Sequence, residues 1–179
     1  WIDVVEKLIK HPDIDDFIVS KDDQGRTGFI HAYLNKREDV VEALLNHPNN
    51  DEMLYVSFQV SCKLGHFGIV ELLRNKWDKY QEIICSKDQE GENGFMKACH
   101  MGQYEIVDLL LKLKQVNYQE IIDSKNQLGE NGFMTACKMG QYRITELLLK
   151  HPSISGIINE KDNKGNTGYM KACLVPSIE

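Results

Sequence analysis

The apolar positions of this chain come in bursts, and the pattern of bursts restarts. In residues 91–112, GENGFMKACHMGQYEIVDLLLK, a first burst of Phe95, Met96, Ala98 and Cys99 stops at Gly102. A second then places Ile106, Leu109 and Leu110 at i, i+3, i+4 spacing, one apolar stripe on a helix. Residues 129–150, GENGFMTACKMGQYRITELLLK, repeat the phrase with few substitutions, and there the stripe is Ile144, Leu147 and Leu148. The aromatic of the phrase marks five copies, at Phe29, Phe58, Phe95, Phe133 and Tyr169, in steps of 29, 37, 38 and 36 residues by subtraction. A period of that size predicts a solenoid of stacked parts.

Each copy reads as turn, helix, turn, helix. Asp162 and Gly165 in DNKGN suit a tight turn, through side-chain bonding and positive φ respectively. Thr27, Asn93, Asn131 and Thr167 stand where a side-chain oxygen can cap the first helix. The small pairs Ala98–Cys99, Ala136–Cys137 and Ala172–Cys173 let neighbouring backbones approach. Gly65, Gly102 and Gly140 end that helix where a left-handed residue is needed, and Lys36 stands at the same place in the first copy. The second helix is followed by extra residues ending in apolar pairs, Ile83–Ile84, Ile121–Ile122 and Ile157–Ile158, which predict an added half-turn of helix against the stack. The copy around Phe58 lacks the Asp-x-x-Gly turn, so the row of turn tips should have a gap there. The chain divides into a half repeat at 1–12, repeats near 20–48, 49–80, 86–115 and 124–152, and an incomplete repeat at 160–179. Both ends cut through a repeat, and a longer array is expected around them.

These residues resemble the ankyrin-repeat family, whose signature is a turn with Asp and Gly, then Thr-Pro-Leu-His-x-Ala, a glycine, and a Val-x-x-Leu-Leu helix. DDQGRTGFIHAY at 22–33 and DNKGNTGYMKAC at 162–173 carry the turn, the Thr and the Ala; GQYEIVDLLLK carries the glycine and the second helix. The departures are specific. Gly28, Gly94, Gly132 and Gly168 replace the proline, and Ile30, Met96, Met134 and Met170 replace the histidine. His31 falls one place later, so the family's His–Thr bond is not transferred to it. The resemblance implies an all-α ankyrin-repeat solenoid of stacked helix-turn-helix units with turn fingers.

Composition changes this picture little. The chain has 179 residues, 42% hydrophobic and 27% charged, with no run of 18 apolar residues that would span a membrane. A net charge of −6 disfavours nucleic acid, whose phosphates need clustered Lys and Arg. Five cysteines, an odd number without a Cys-x-x-Cys pair, favour a reducing, intracellular or cytoplasmic setting. Cys62, Cys99, Cys137 and Cys173 recur at one place in the repeat and read as buried packing; Cys85 stands outside the ladder and reads as a partly exposed loop thiol. DNKGN lacks the alternating oxygen ligands of a calcium loop, and no zinc, phosphate-loop or nucleophile-elbow motif is present. No catalytic residue, metal ligand or cofactor is therefore assigned.

Two sets of positions vary while the framework repeats. One precedes the helix-ending glycine: Lys63 and Leu64, His100 and Met101, Lys138 and Met139. The other is the turn tip: Gln89, Glu90 and Glu92; Gln127, Leu128 and Glu130; Asn163, Lys164 and Asn166, with Asp23, Gln24 and Arg26 in the first copy. The resemblance implies that both sets line the concave face and finger row, the usual partner-binding surface. The expected function is a monomeric module for protein–protein recognition, a scaffold or adaptor. Two rivals remain: the targeting part of a larger enzyme, and a structural spacer.

Overall fold

The computed structural model describes residues 2–11, 13–48, 50–76, 80–112 and 118–175. Four helix pairs follow one another: α3 (Gly28–Leu34) with α4 (Glu38–Leu45), α5 (Asp51–Leu64) with α6 (Phe67–Lys76), α8 (Gly94–Met101) with α9 (Tyr104–Leu111), and α11 (Gly132–Lys138) with α12 (Tyr142–Leu149). Single helices flank them, α1 (Ile2–Ile9) and α13 (Gly168–Ala172). No strand occurs among the described residues. The first helices of successive pairs pack into an inner layer, α5 on α8, α8 on α11 and α11 on α13, while α6, α9 and α12 form an outer one.

The predicted caps start the inner helices. Asn93 Oδ1 accepts from the Met96 N–H at 2.9 Å and Asn131 Oδ1 from the Met134 N–H at 2.9 Å. Thr27 and Thr167 do the same at 3.4 and 3.3 Å. Removing such a cap costs about 1 kcal/mol. Thr27 is fully buried, and its hydroxyl also meets that of Ser57 at 2.7 Å, tying the first repeat to the second. Inner helices give way to outer ones through left-handed residues: Gly65, Gly102 and Gly140 have φ of 82°, 77° and 67°. Lys36 adopts φ 56°, the one non-glycine with positive φ among the described residues, at a cost of about 1 kcal/mol.

The missing family proline has a packing cause. A β-carbon on Gly94 would lie 2.5 Å from Phe58 Cε1 and 2.9 Å from Cys62 Sγ. On Gly132 it would lie 2.6 Å from Phe95 Cε1 and 3.3 Å from Cys99 Sγ; on Gly168, 2.6 Å from Phe133 Cε1 and 3.4 Å from Cys137 Sγ. The helices α8, α11 and α13 thus open on a glycine because the phenyl ring of the preceding repeat occupies the space a side chain would fill. A large residue in one repeat is matched by the smallest in the next, as a close-packed interior requires.

The apolar pairs after the outer helices build a third column, made of α7 (Tyr80–Cys85), α10 (Tyr118–Asp123) and a 3-10 turn (Pro152–Gly156) stacked on one another. Ile83, Ile84, Ile121, Ile122 and Ile157 are buried beneath it. A fourth insert, α2 (Ile14–Ile18), sits in the same place in the first copy. The cysteine ladder needs one correction. Cys62, Cys99 and Cys137 are buried, and burial raises all three thiols. Cys173 is exposed, because no described residue stacks on α13 as α11 stacks on α8. Cys85 is not in a loop but ends α7, half-buried; burial, and then nearby Glu120, push its thiol up to about 11.

Candidate partner-binding surface

Four turn fingers project ahead of the inner helices, and all are built alike. Asp22 Oδ1 accepts from the N–H groups of Gln24 and Arg26 at 2.9 and 2.8 Å. Asp88 does so from Glu90 and Glu92 at 3.0 and 2.8 Å, and Asp162 from Lys164 and Asn166 at 2.9 and 2.8 Å. Asn126 substitutes its amide oxygen for the carboxylate, toward Leu128 and Glu130, both at 3.0 Å. A main-chain bond closes each turn, such as Gly91 N to Asp88 O at 3.0 Å.

The finger carboxylate is also clamped from its own inner helix. His31 Nε2 meets Asp22 Oδ2 at 2.8 Å, Lys97 pairs with Asp88, and Lys171 Nζ reaches Asp162 Oδ2 at 2.6 Å. At Asp162 the Lys171 bond is the main reason the carboxyl lies below the usual range, against the opposing effect of burial. Burial raises Asp88, but the Lys97 ammonium and the turn N–H groups outweigh it. The N–H of Arg26 leads the set that lowers Asp22.

Adjacent fingers are joined edge to edge by a repeated set of bonds. The second turn residue donates its N–H to the third residue's carbonyl in the preceding finger: Gln127 N to Glu90 O and Asn163 N to Leu128 O, both at 3.0 Å. The side-chain amide of that second residue donates to its counterpart's carbonyl, Gln127 Nε2 to Gln89 O at 2.5 Å and Asn163 Nδ2 to Gln127 O at 2.9 Å. The lysine before the turn reaches forward, Lys87 Nζ to Lys125 O at 3.0 Å and Lys125 Nζ to Lys161 O at 3.5 Å.

Most of the variable positions are exposed, on helix ends or on fingers. Leu64, Met101 and Met139, at the ends of α5, α8 and α11, are 36%, 45% and 43% exposed, and Leu128 on its finger is 56% exposed. Lys63, Lys138, Gln89, Glu90, Gln127, Asn163 and Lys164 are exposed and His100 is half-buried. The fifth turn position differs. Glu130, expected at an exposed tip, is only 4% exposed, with Lys138 and Lys171 at 3.1 and 2.6 Å. Burial raises its carboxyl and the two ammonium groups more than reverse that. The reason is geometric: Glu130 reaches Lys171 on the next inner helix, so its side chain serves the stack. Glu92 and Asn166 are likewise half-buried; Glu92 lies 3.7 Å from Lys97, and Asn166 Nδ2 donates to Asp162 at 3.3 Å.

The second copy has no finger. In its place α5 runs on for two further turns ahead of Phe58, and Met53 and Leu54 from that extension enter the core. The finger row is broken by a cleft of about 730 Å³. Gln24 and Gly25 form one wall and Lys87 to Glu90 the other; the floor is the α5 stripe Tyr55, Val56, Gln59, Val60, Lys63 and Leu64. Sequence reasoning located the gap but not this floor. The signal was present: 55–56, 59–60 and 63–64 fall at helical spacing on the α5 face away from Met53, Leu54 and Phe58.

Among the described residues, no helix is long and apolar enough to cross a membrane, and no three His, Cys, Asp or Glu side chains converge as metal ligands. Residues 95–177 match the family model described as ankyrin repeats, three copies. No curated protein matches the chain. The match covers the two near-identical repeats and the incomplete one; upstream of it the helix pair recurs at α5–α6, with the glycine stop Gly65, and at α3–α4, with a finger at 22–26. Residues 95–177 are thus ankyrin repeats, and the helix pairs upstream of them repeat the same architecture.

Proposed function

We propose that this array recognises a partner protein through its inner face, with Lys63, Leu64, His100, Met101, Lys138 and Met139 on the helix ends and residues 89–90, 127–128 and 163–164 on the fingers. Ankyrin repeats are generally protein–protein interaction modules. The observation that carries the reading here is the line of Leu64, Met101 and Met139. These apolar side chains keep about two-fifths of their surface in water at three successive equivalent positions. Methionine adapts its shape to a contact. The free thiols buried in the stack fit a reducing compartment, and the module is read as a monomeric, non-catalytic scaffold or adaptor.

The test replaces Met101 and Met139 together by glutamate. Because both are already exposed, stability should change by no more than about 0.5 kcal/mol. Loss of two interface anchors should weaken binding by about 2 kcal/mol or more. Proteins retained by the immobilised wild-type chain should be released by the double variant with its melt intact. Unchanged retention would show that the partner binds elsewhere.

A further inference from the structure

The bonds that join the fingers have a register, and the gap leaves them unmade on both sides. By that register, the carbonyls of Asp23 and Gln24 should accept from a following finger, and Lys21 Nζ should reach forward to it. None of these has a partner among the described residues. On the far wall the Gln89 N–H and side-chain amide, the counterparts of the groups through which Gln127 and Asn163 bind their predecessors, are also unpartnered. The floor adds two buried polar atoms without partners, Tyr55 Oη and Gln59 Oε1, and Gln59 is 6% exposed.

We propose that this notch receives a tight turn from a partner protein, which docks as the missing finger. Its main chain gives an N–H to the Gln24 carbonyl and a carbonyl to the Gln89 N–H, extending the ladder that already runs from residues 88–92 to 162–166. This is strand-like addition to an open edge at both sides. The inference rests on reading the inner face as the binding surface, and adds the shape of what binds. Charge selects the turn's flank. Among the described residues, Lys21 and Lys63 line the cleft with no ion pair and Asp88 is already taken by Lys97; only Glu90 on the far wall offers an unpaired carboxylate, so the Lys21–Lys63 side of the cleft favours an acidic neighbour to the turn. Val56, Val60 and Leu64 give its underside an apolar seat.

The probe is a cyclised peptide carrying residues 125–130, KNQLGE, the chain's own fourth finger, titrated into the isotope-labelled 179-residue chain. Saturable shifts of the Gln24 and Gln89 amide signals are expected, with exchange of the Gln89 amide slowed at least ~10-fold, the change one added hydrogen bond brings. Gln89→Pro fits the second position of the turn yet deletes its N–H, and should weaken binding ~10-fold or more; Gln89→Ala keeps the N–H and should weaken it far less. Unmoved signals for residues 93–112 would show that each variant is folded. Absence of saturation, shifts confined to the other open edge at 162–166, or equal binding by Gln89→Pro would overturn the proposal. The Met101→Glu, Met139→Glu chain should bind the peptide like wild type. Failure of the peptide alongside loss of captured partners by that chain would sink the notch and leave the inner face standing.

Discussion

Gly28 and Gly132 separate helix propensity from the fit between repeats. Both open an inner helix directly after its cap. A β-carbon at Gly28 meets no heavy atom within 4 Å, whereas one at Gly132 lands 2.6 Å from Phe95 Cε1. Gly28→Ala should therefore stabilise by about 0.4–1 kcal/mol, because the unfolded chain loses freedom and the folded one loses nothing. Proline should do as well there, since Thr27 at φ −84°, ψ 168° is already extended and the first helical position needs no N–H. Gly132→Ala carries the same gain against an overpacking cost of about 1–3 kcal/mol. Phe95 is 1% exposed and cannot swing into solvent, so the balance should be a loss of about 0.5–2 kcal/mol. Adding Phe95→Leu should reduce that loss, with a coupling of about 0.5 kcal/mol or more. Urea titrations followed by circular dichroism give the energies, and hydrogen exchange over 93–150 locates the change. If Gly132→Ala gains as much as Gly28→Ala, or shows no coupling to Phe95, the glycine is not there for the ring.

Thiol labelling of the native chain should reach Cys173 first, Cys85 slowly, and Cys62, Cys99 and Cys137 only on unfolding; equal rates at all five would refute the ladder. Hydrogen exchange should show residues 2–55 opening before 93–150, since α1 buries no residue, Lys36 is strained, and α5 packs far more extensively on α8 than on α3. Uniform protection would count against that seam. Asp88, Glu130 and Asp162 have folded pKa values below their unfolded ones, so their contribution is present above about pH 4 and fades as pH falls through the depressed values. Lys171→Met should reverse the sign locally. Two buried carboxylates would lose a shared ammonium, destabilising 160–175 by about 3 kcal/mol at pH 7, and exchange there should slow on going to pH 5 as one of them protonates. Wild-type-like pH behaviour of that variant would refute the account.

What was legible in the sequence was whatever a repeat settles by itself. Period, caps, glycine stops and the apolar pairs of the third column all follow from residues close in sequence. What was not legible depends on the neighbour. Glu130 has the spacing of an exposed tip residue, and only Lys171, 41 positions later, makes it a buried anion. The cysteine motif is the same at Cys137 and Cys173, yet the first lies under α13 and the second under nothing described. The exchange of proline for glycine was visible as a departure, but its cause lies in the phenyl ring one repeat earlier. The missing finger was legible as an absent turn; that its place is taken by a longer α5, which turns the gap into a floored cleft, required the fold.

The contact of phenyl ring and thiol against glycine is written three times in nearly the same letters. Phe58 and Cys62 offer Gly94 what Phe95 and Cys99 offer Gly132, and what Phe133 and Cys137 offer Gly168. Excising residues 94–131, one period of 38, would seat Gly132 on Phe58 and Cys62, with Thr135 facing Asp88 in place of Lys97. A whole unit can therefore be added or dropped with its seat preserved, whereas resizing a single ring demands matched changes in two units at once.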